Sequence, residues 1–187
     1  MRRGVEIAVM VIMVVIAAGC GHNDDNTVPR RTAYPRLELY ADSTVTARIG
    51  GVAFDIKADA DTAMPREGWL DIAYPRYRAT MHVTVRRLAS GKEAEEAIAN
   101  REQRIILNLG ERTGTASEFE NGAGFVCRTL TSLDGGPTPV QFMAYRSDGC
   151  FVSGAAAIDG PLEPADSMAP TVRALAADAE ILLRSLR

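Results

Sequence analysis

The chain has 187 residues, with 21 Lys and Arg against 24 Asp and Glu, which gives a formal net charge of −3. Hydrophobic residues make up 47% and charged residues 24%, as in ordinary globular proteins, and a chain of this length suits a single domain with a substantial core. The 16 Gly, 9 Pro and 3 Cys exclude the collagen-like, disulfide-scaffold and disordered classes. The near-neutral charge argues against a nucleic-acid partner, because phosphate binding needs a concentrated basic excess.

Residues 1–19 are predicted to be a lipoprotein signal peptide. Arg2 and Arg3 give a basic start, and the apolar run at 7–18 is shorter than the about 20 residues of a membrane-spanning helix. Small residues at 17–19 stand directly before Cys20 and resemble a bacterial lipobox, in which the chain is cut before an acylated cysteine. We expect palmitate or a related acyl group on Cys20; the alternative is ordinary signal cleavage that leaves a free thiol.

Residues 20–28 are predicted to be a lipid anchor and a polar tether. The segment after Cys20 is rich in Asn and Asp and contains nothing that can pack a core. One acyl chain binds a membrane marginally, whereas a second makes the attachment stable. We therefore expect a lipid bilayer as a partner through acylated Cys20. Residues 29–187 are predicted to form one domain, because no linker interrupts them.

The remaining pattern predicts an α+β fold, with an antiparallel β-sheet and two helices. Alternating or continuous apolar residues predict strands at 34–40, 50–57, 69–74, 78–88, 125–131, 139–146 and 150–158. Ser90 and Glu93 have capping-box spacing, and Gly110 is a typical helix end. Apolar residues at i, i+3, i+4 and i+7 predict a C-terminal helix packed on the sheet, with Asp166 or Ser167 as its cap.

Two further cysteines are predicted to be buried, reduced thiols. Three consecutive strands with short turns favour a meander, which places Cys127 on its first strand and Cys150 on its third. Two strand spacings put them about 10 Å apart, beyond the Cα separation of about 7 Å that a disulfide allows.

The sequence contains no arrangement typical of a catalytic, metal or cofactor site. Its two histidines are His22, in the tether, and His82, on the polar face of a predicted strand. No Cys and His share a metal-ligand spacing, and no nucleophile-elbow or phosphate-loop pattern occurs. We expect no enzymatic activity, no cofactor and no metal. Carboxylates are numerous, so counting alone leaves a glycosidase-like pair open.

Basic residues recur near aromatic ones and suggest a surface for contact with a partner. The candidate partner-contact residues are Tyr34, Arg36, Trp69, Tyr74 and Gln141. The alternative is that the charges are solvated strand edges and that Trp69 and Tyr74 belong to the core.

Several stretches together resemble one known family. They are PRRTAYPRLEL at 29–39, WLDIAYPRY at 69–77, ATMH at 79–82, TPVQF at 138–142 and DSMAP at 166–170. In this order they are similar to segments of the gliding-motility-associated lipoproteins of the GldD type from Bacteroidota. The resemblance covers the chain from the lipid cysteine onward.

The resemblance implies a periplasm-facing lipoprotein of the cell envelope, in the inner or the outer membrane, with surface exposure as the alternative. It implies envelope protein partners in gliding-motility machinery that is also linked to type IX secretion, and no established reaction. We therefore predict a non-enzymatic component of that machinery. The alternative is an envelope ligand- or glycan-binding module, with weak hydrolase activity, which needs a pocket of roughly 300 Å³ or more. A third hypothesis is an assembly chaperone that holds client strands at an uncovered sheet edge.

Overall fold

The structure, a computed structural model, describes residues 37–160 and 164–187. The strands within these ranges are β1 (Thr44–Ile49), β2 (Val52–Lys57), β3 (Asp61–Ala63), β4 (Trp69–Tyr74), β5 (Ala79–Arg87), β6 (Thr115–Glu120), β7 (Val126–Thr131), β8 (Val140–Tyr145) and β9 (Cys150–Ile158). The α-helices are α1 (Gly91–Leu109) and α2 (Ala165–Ser185), and a 3-10 helix at Pro75–Tyr77 joins β4 to β5. The predicted boundaries of the signal peptide and the tether lie outside the described residues and stay predictions.

Seven strands form one antiparallel sheet in the order β3-β4-β5-β9-β8-β7-β6, and β1 pairs with β2 in a separate hairpin. Strand β5 lies near the centre of the sheet. Its apolar and polar residues alternate, so Met81, Val83 and Val85 are buried on one face. The α+β class and the antiparallel sheet predicted from the sequence are confirmed.

The C-terminal helix α2 packs on the face that β5 buries. Its apolar stripe contacts β2, β7 and β8, and Val172, Leu175 and Leu182 are among its buried residues. The predicted packing of this helix on the sheet is therefore confirmed. The predicted cap is wrong, because Asp166 and Ser167 lie inside the first turn. The amides of Ser167 and Met168 bond to the Pro164 carbonyl oxygen at 2.9 and 3.2 Å, so the helix begins earlier than its polar residues indicate.

Helix α1 lies on the opposite face of the sheet. Its start is as predicted: the Ser90 hydroxyl accepts a hydrogen bond from the Glu93 amide at 3.2 Å. Ala94 and Ala97 of the helix pack with Met143 and Phe151 from β8 and β9. The central strands are thus buried on both faces, which places α1 and α2 on either side of one sheet.

The N-terminal part of the domain differs most from the prediction. The described part of the segment predicted as a strand at 34–40, residues 37–40, is not a strand, and β1 lies where a turn-rich break was expected. Strand β1 exposes most of its side chains, so it carries no apolar alternation that sequence analysis could detect. Gly50 and Gly51 close the β1–β2 hairpin with φ of +56° and +81°, as a two-residue primed turn requires.

The predicted meander and its thiols are confirmed. Strand β8 lies between β7, which carries Cys127, and β9, which carries Cys150. Both cysteines are free and buried, and they pack as small apolar groups.

Candidate functional site

A polar groove of about 470 Å³ opens between α1 and the part of the sheet that α1 leaves uncovered. Helix α1 lies over β8 and β9, so the side chains that β4 and β5 present to this face remain accessible. Because β5 alternates, its polar residues His82, Thr84 and Arg86 all point into the groove. Trp69 of β4 also lines it, together with Arg101 and Arg104 of α1.

Arg101 carries positive charge into the buried floor of this groove. Its Nη2 donates a hydrogen bond to the carbonyl oxygen of Gly154 at 2.6 Å. Its Nε is buried and has no hydrogen-bond partner among the described residues. Burial and the neighbouring charge of Arg104 lower the pKa of Arg101, but a guanidinium stays protonated at any physiological pH. The groove therefore contains an unsatisfied cationic donor.

The charged side chains in the described lining of the groove are the three arginines Arg86, Arg101 and Arg104. Arg86 reaches Glu93 at 3.3 Å, whereas Arg101 and Arg104 have no carboxylate within ion-pair distance among the described residues. No Asp or Glu belongs to the described lining of the groove. In a chain whose net charge is −3, this makes the groove a local site of positive potential.

The other lining groups are hydrogen-bonding or aromatic. The hydroxyls of Thr84 and Ser153 lie 2.8 Å apart, and either can donate to the other. Nδ1 of His82 lies 2.7 Å from Oδ1 of Asp71, which orients the imidazole. The Arg66 guanidinium lies 3.4 Å from the centroid of the Trp69 ring and covers one of its faces. Together these groups can recognise a small polar anion.

A second groove, of about 400 Å³, lies on the other face between α2 and the β6–β7 edge. Its lining is more apolar and includes Phe119, Leu133 and Ala176, with threonine and serine hydroxyls from β6 and β7. The outer edge of β6 pairs with no other strand in the part of the chain that the structure describes. This is the uncovered edge that the chaperone hypothesis requires, although nothing here indicates a client.

The predicted contact residues are not brought together. Trp69 is half-buried in the groove, but Tyr74 is 1% exposed and packs against Tyr40 and Tyr77, with ring centroids 5.3 and 5.8 Å away. Gln141 is also 1% exposed. It accepts a hydrogen bond from Asn108 at 3.0 Å and so joins α1 to β8.

Neither Tyr74 nor Gln141 offers surface to a partner, because both side chains are enclosed by the fold. Of the predicted partner-contact residues that the structure describes, Trp69 alone has a side chain that a partner could reach. Cys20, Tyr34 and Arg36 lie outside the described residues, and their roles stay predictions.

The sequence analysis missed Arg101 and Arg104, although a signal for them existed. The two arginines stand three residues apart on α1, and no Asp or Glu occurs three or four residues from either of them. Carboxylates at this spacing can form ion pairs with a helical arginine, so α1 offers neither Arg101 nor Arg104 such a partner. What the spacing alone could not show is that the helix turns these residues toward the polar face of β5.

Two other kinds of site are absent from residues 37–160 and 164–187. No helix within these ranges is both long and apolar enough to cross a membrane. No group of three or more His, Cys, Asp or Glu side chains in the same ranges is placed to hold a metal ion.

Comparison with known proteins identifies the family. No curated protein matches the chain. The sequence model of one family, described as gliding motility lipoprotein GldD, matches residues 24–187, a span that includes every strand and helix described above. This confirms the resemblance seen in the sequence motifs. The chain therefore belongs to the gliding motility lipoprotein GldD family, which makes it a membrane-anchored lipoprotein of the cell envelope associated with gliding motility.

Proposed function

We propose that this lipoprotein is a non-enzymatic, periplasm-facing component of the envelope machinery for gliding motility, which is also linked to type IX secretion. The observation that carries the proposal is the family match over residues 24–187. The family is described as one of lipoproteins, and Cys20, four residues before the match, is the proposed site of its lipid anchor.

In this proposal the domain acts by holding a position and by contacting envelope proteins. Acyl chains on Cys20 keep the domain at the bilayer, and the polar tether within residues 20–28 spaces it from the surface. Tyr34 and Arg36 remain proposed contact residues, since basic and aromatic residues recur together in this part of the sequence. Trp69 is the proposed contact residue on the domain itself.

Lipidation is tested first, by intact-mass analysis of protein purified from the native host. We expect a chain that begins at Cys20 and carries the added mass of its acyl groups. Cys20→Ala should remove that mass and lower the membrane-bound fraction. His22→Ala, two residues away in the tether, is the matched control and should keep both. Wild-type protein without attached lipid would contradict the anchor.

The motility role is tested by complementation in a strain that lacks this protein. Wild-type chain should restore gliding, and Cys20→Ala at equal abundance should not, because the domain then no longer stays at its membrane. Cross-linking and mass spectrometry in intact cells should identify envelope proteins bound to the anchored form. Full restoration of gliding by an unlipidated chain would show that membrane position is dispensable.

The groove favours the ligand-binding alternative as a second candidate function. Its volume of about 470 Å³ exceeds the size required for such a module. It supports binding over hydrolysis, since no carboxylate pair belongs to its described lining. The two functions are compatible, because an anchored lipoprotein can also hold a ligand.

A further inference from the structure

We propose that the groove between α1 and the face formed by β4, β5 and β9 binds an acidic sugar, whose carboxylate or phosphate is held by Arg101 and Arg104. The inference develops the ligand-binding alternative and does not depend on lipidation of Cys20.

The floor of the groove carries a charge whose hydrogen bonding is incomplete within the described residues. A buried ionised donor is costly when it lacks a partner, and such groups usually have a protein, water or ligand acceptor. Nε of Arg101 is buried and has no acceptor among the described residues. A ligand oxyanion would supply that acceptor and would also offset the repulsion between Arg101 and Arg104.

Within the described lining of the groove, no carboxylate competes with a ligand for the charges of Arg101 and Arg104. Arg101 is held by one bond to the Gly154 carbonyl oxygen, which fixes the guanidinium without neutralising it. Arg104 lies one turn further along α1 and is exposed. Arg86 faces them from β5, although Glu93 already accepts one of its hydrogen bonds. Two free guanidinium groups thus converge on the same cavity.

The other lining groups of the groove suit the uncharged part of a sugar. Around the arginines lie the hydroxyls of Thr84 and Ser153, the amide of Asn100 and the ring of Trp69. These are groups that bind sugar hydroxyls and the apolar faces of sugar rings. A cavity of about 470 Å³ suits a small ligand or one unit of a polymer.

The floor of the groove argues against an acidic peptide. Peptides that bind to sheets commonly add a strand at an open edge, where backbone groups are free. Here the floor is formed by β5 and β9, which pair with each other and have further partners in β4 and β8. Their backbone groups are already used, so the floor offers side chains alone.

Trp69 provides a direct readout of binding, because it is the only tryptophan in the chain and lines the groove. The test uses the full chain in detergent, titrated with glucuronate and with glucose 6-phosphate while Trp69 fluorescence is followed. We expect a saturable change with one or both acidic sugars, and their relative affinity distinguishes carboxylate from phosphate. Neutral glucose should give none.

Matched variants locate the site. Arg104→Gln removes an exposed charge without touching the core and should weaken binding about tenfold or more, as expected for a lost charge-assisted hydrogen bond. Arg101→Gln should weaken it at least as much. Arg173→Gln, an exposed arginine on α2 at the other face of the sheet, is the control and should bind like wild type.

Specific results would overturn the inference. These are equal binding of neutral glucose, unchanged affinity in Arg104→Gln, or inorganic phosphate or tetraglutamate binding as tightly as the acidic sugars. The Cys20→Ala chain should bind like wild type, so failure of the anchor and failure of the groove are distinguishable.

Discussion

Nζ of Lys57 lies 3.9 Å from Oδ1 of Asp178, and the two side chains are only 9% and 6% exposed. The ion pair links β2 to α2, but its atoms are too far apart for a hydrogen bond. It therefore offsets only a small part of the cost of burying the Asp178 carboxylate. The second carboxylate oxygen of Asp178 is buried with no partner among the described residues. Burial raises the pKa of Asp178 to about 6, against the opposing effect of the Lys57 charge.

The first prediction is that Asp178 makes the domain less stable as the pH rises. Its pKa of about 6 in the folded state exceeds the ordinary 3.8, so the native state binds this proton more tightly than the unfolded state. The tighter proton binding stabilises the folded state fully below about pH 4, and this stabilisation is lost as the pH rises through 6. The total loss in the free energy of unfolding is about 3 kcal/mol. Asp178→Asn cannot titrate, so its free energy of unfolding should gain about 2.4 kcal/mol on wild type between pH 4 and pH 7.5. Urea unfolding measures this, and parallel pH profiles would contradict it.

The second prediction concerns Gly154, which allows close packing at the centre of the sheet. A Cβ atom there would overlap the ring of Phe142 and lie 2.6 Å from the carbonyl oxygen of His82. Gly154→Ala should therefore lower the free energy of unfolding by about 2–3 kcal/mol. Gly122→Ala is the control, because a Cβ at that position meets open space. Equal midpoints for both variants in urea would show that the sheet can relax around the methyl group.

The third prediction concerns Asn121, which ties the end of α2 to the β6–β7 turn. Its Nδ2 donates to the carbonyl oxygens of Leu183 and Leu186 at 2.9 and 3.1 Å, and its Oδ1 accepts from the amides of Ala123 and Phe125. Asn121→Asp keeps the shape but replaces both donors with an anion beside the negative end of the helix. We expect a loss of about 2–4 kcal/mol in the free energy of unfolding at pH 7.

The control for this variant is Gln103→Glu, since Gln103 is exposed on α1 and does not belong to the described lining of the groove. It should change the free energy of unfolding by less than about 0.5 kcal/mol. The deficit of Asn121→Asp relative to wild type should shrink at low pH, where a protonated carboxyl regains one donor. A deficit independent of pH would assign the loss to something other than these hydrogen bonds.

The fourth prediction concerns the reactivity of the thiols. Burial raises the pKa of Cys127 to about 11 and also raises that of Cys150, so little thiolate is present at neutral pH. Folded protein should resist maleimide, and unfolding without reductant should expose two reactive thiols in an acylated chain. A third reactive thiol would mean that Cys20 is unmodified. If no thiol reacts, Cys127 and Cys150 must form a disulfide, which the strand order disfavours.

The fold was predictable where local pattern and burial agree. Ser90 caps α1 as its spacing indicates, and the alternation of Met81, Val83 and Val85 correctly assigns the core face of β5. Strand β1 was not predictable, because its residues face solvent and only pairing with β2 makes it a strand. The position of α1 was not predictable for a related reason. Alternation along β8 assigns Gln141 to the solvent-facing side of the sheet, but α1 covers that side and Gln141 is buried.

The candidate site was predictable only in part. The polar side of β5, with His82 and Thr84, is visible in the sequence, and so is Trp69 as a residue of interest. The arginines come from a helix whose charged sequence indicates an exposed surface. Their convergence with β5 depends on where α1 crosses the sheet, and that is set by tertiary packing on Met143 and Phe151 rather than by any local pattern.

The pairing of β5 with β9 joins Thr84 to Ser153, 69 residues further along the chain. A sheet built around such a distant pair closes slowly, since a long loop must be ordered before the contacts form. During synthesis the first half of the domain therefore lacks its central neighbour until the second half has emerged.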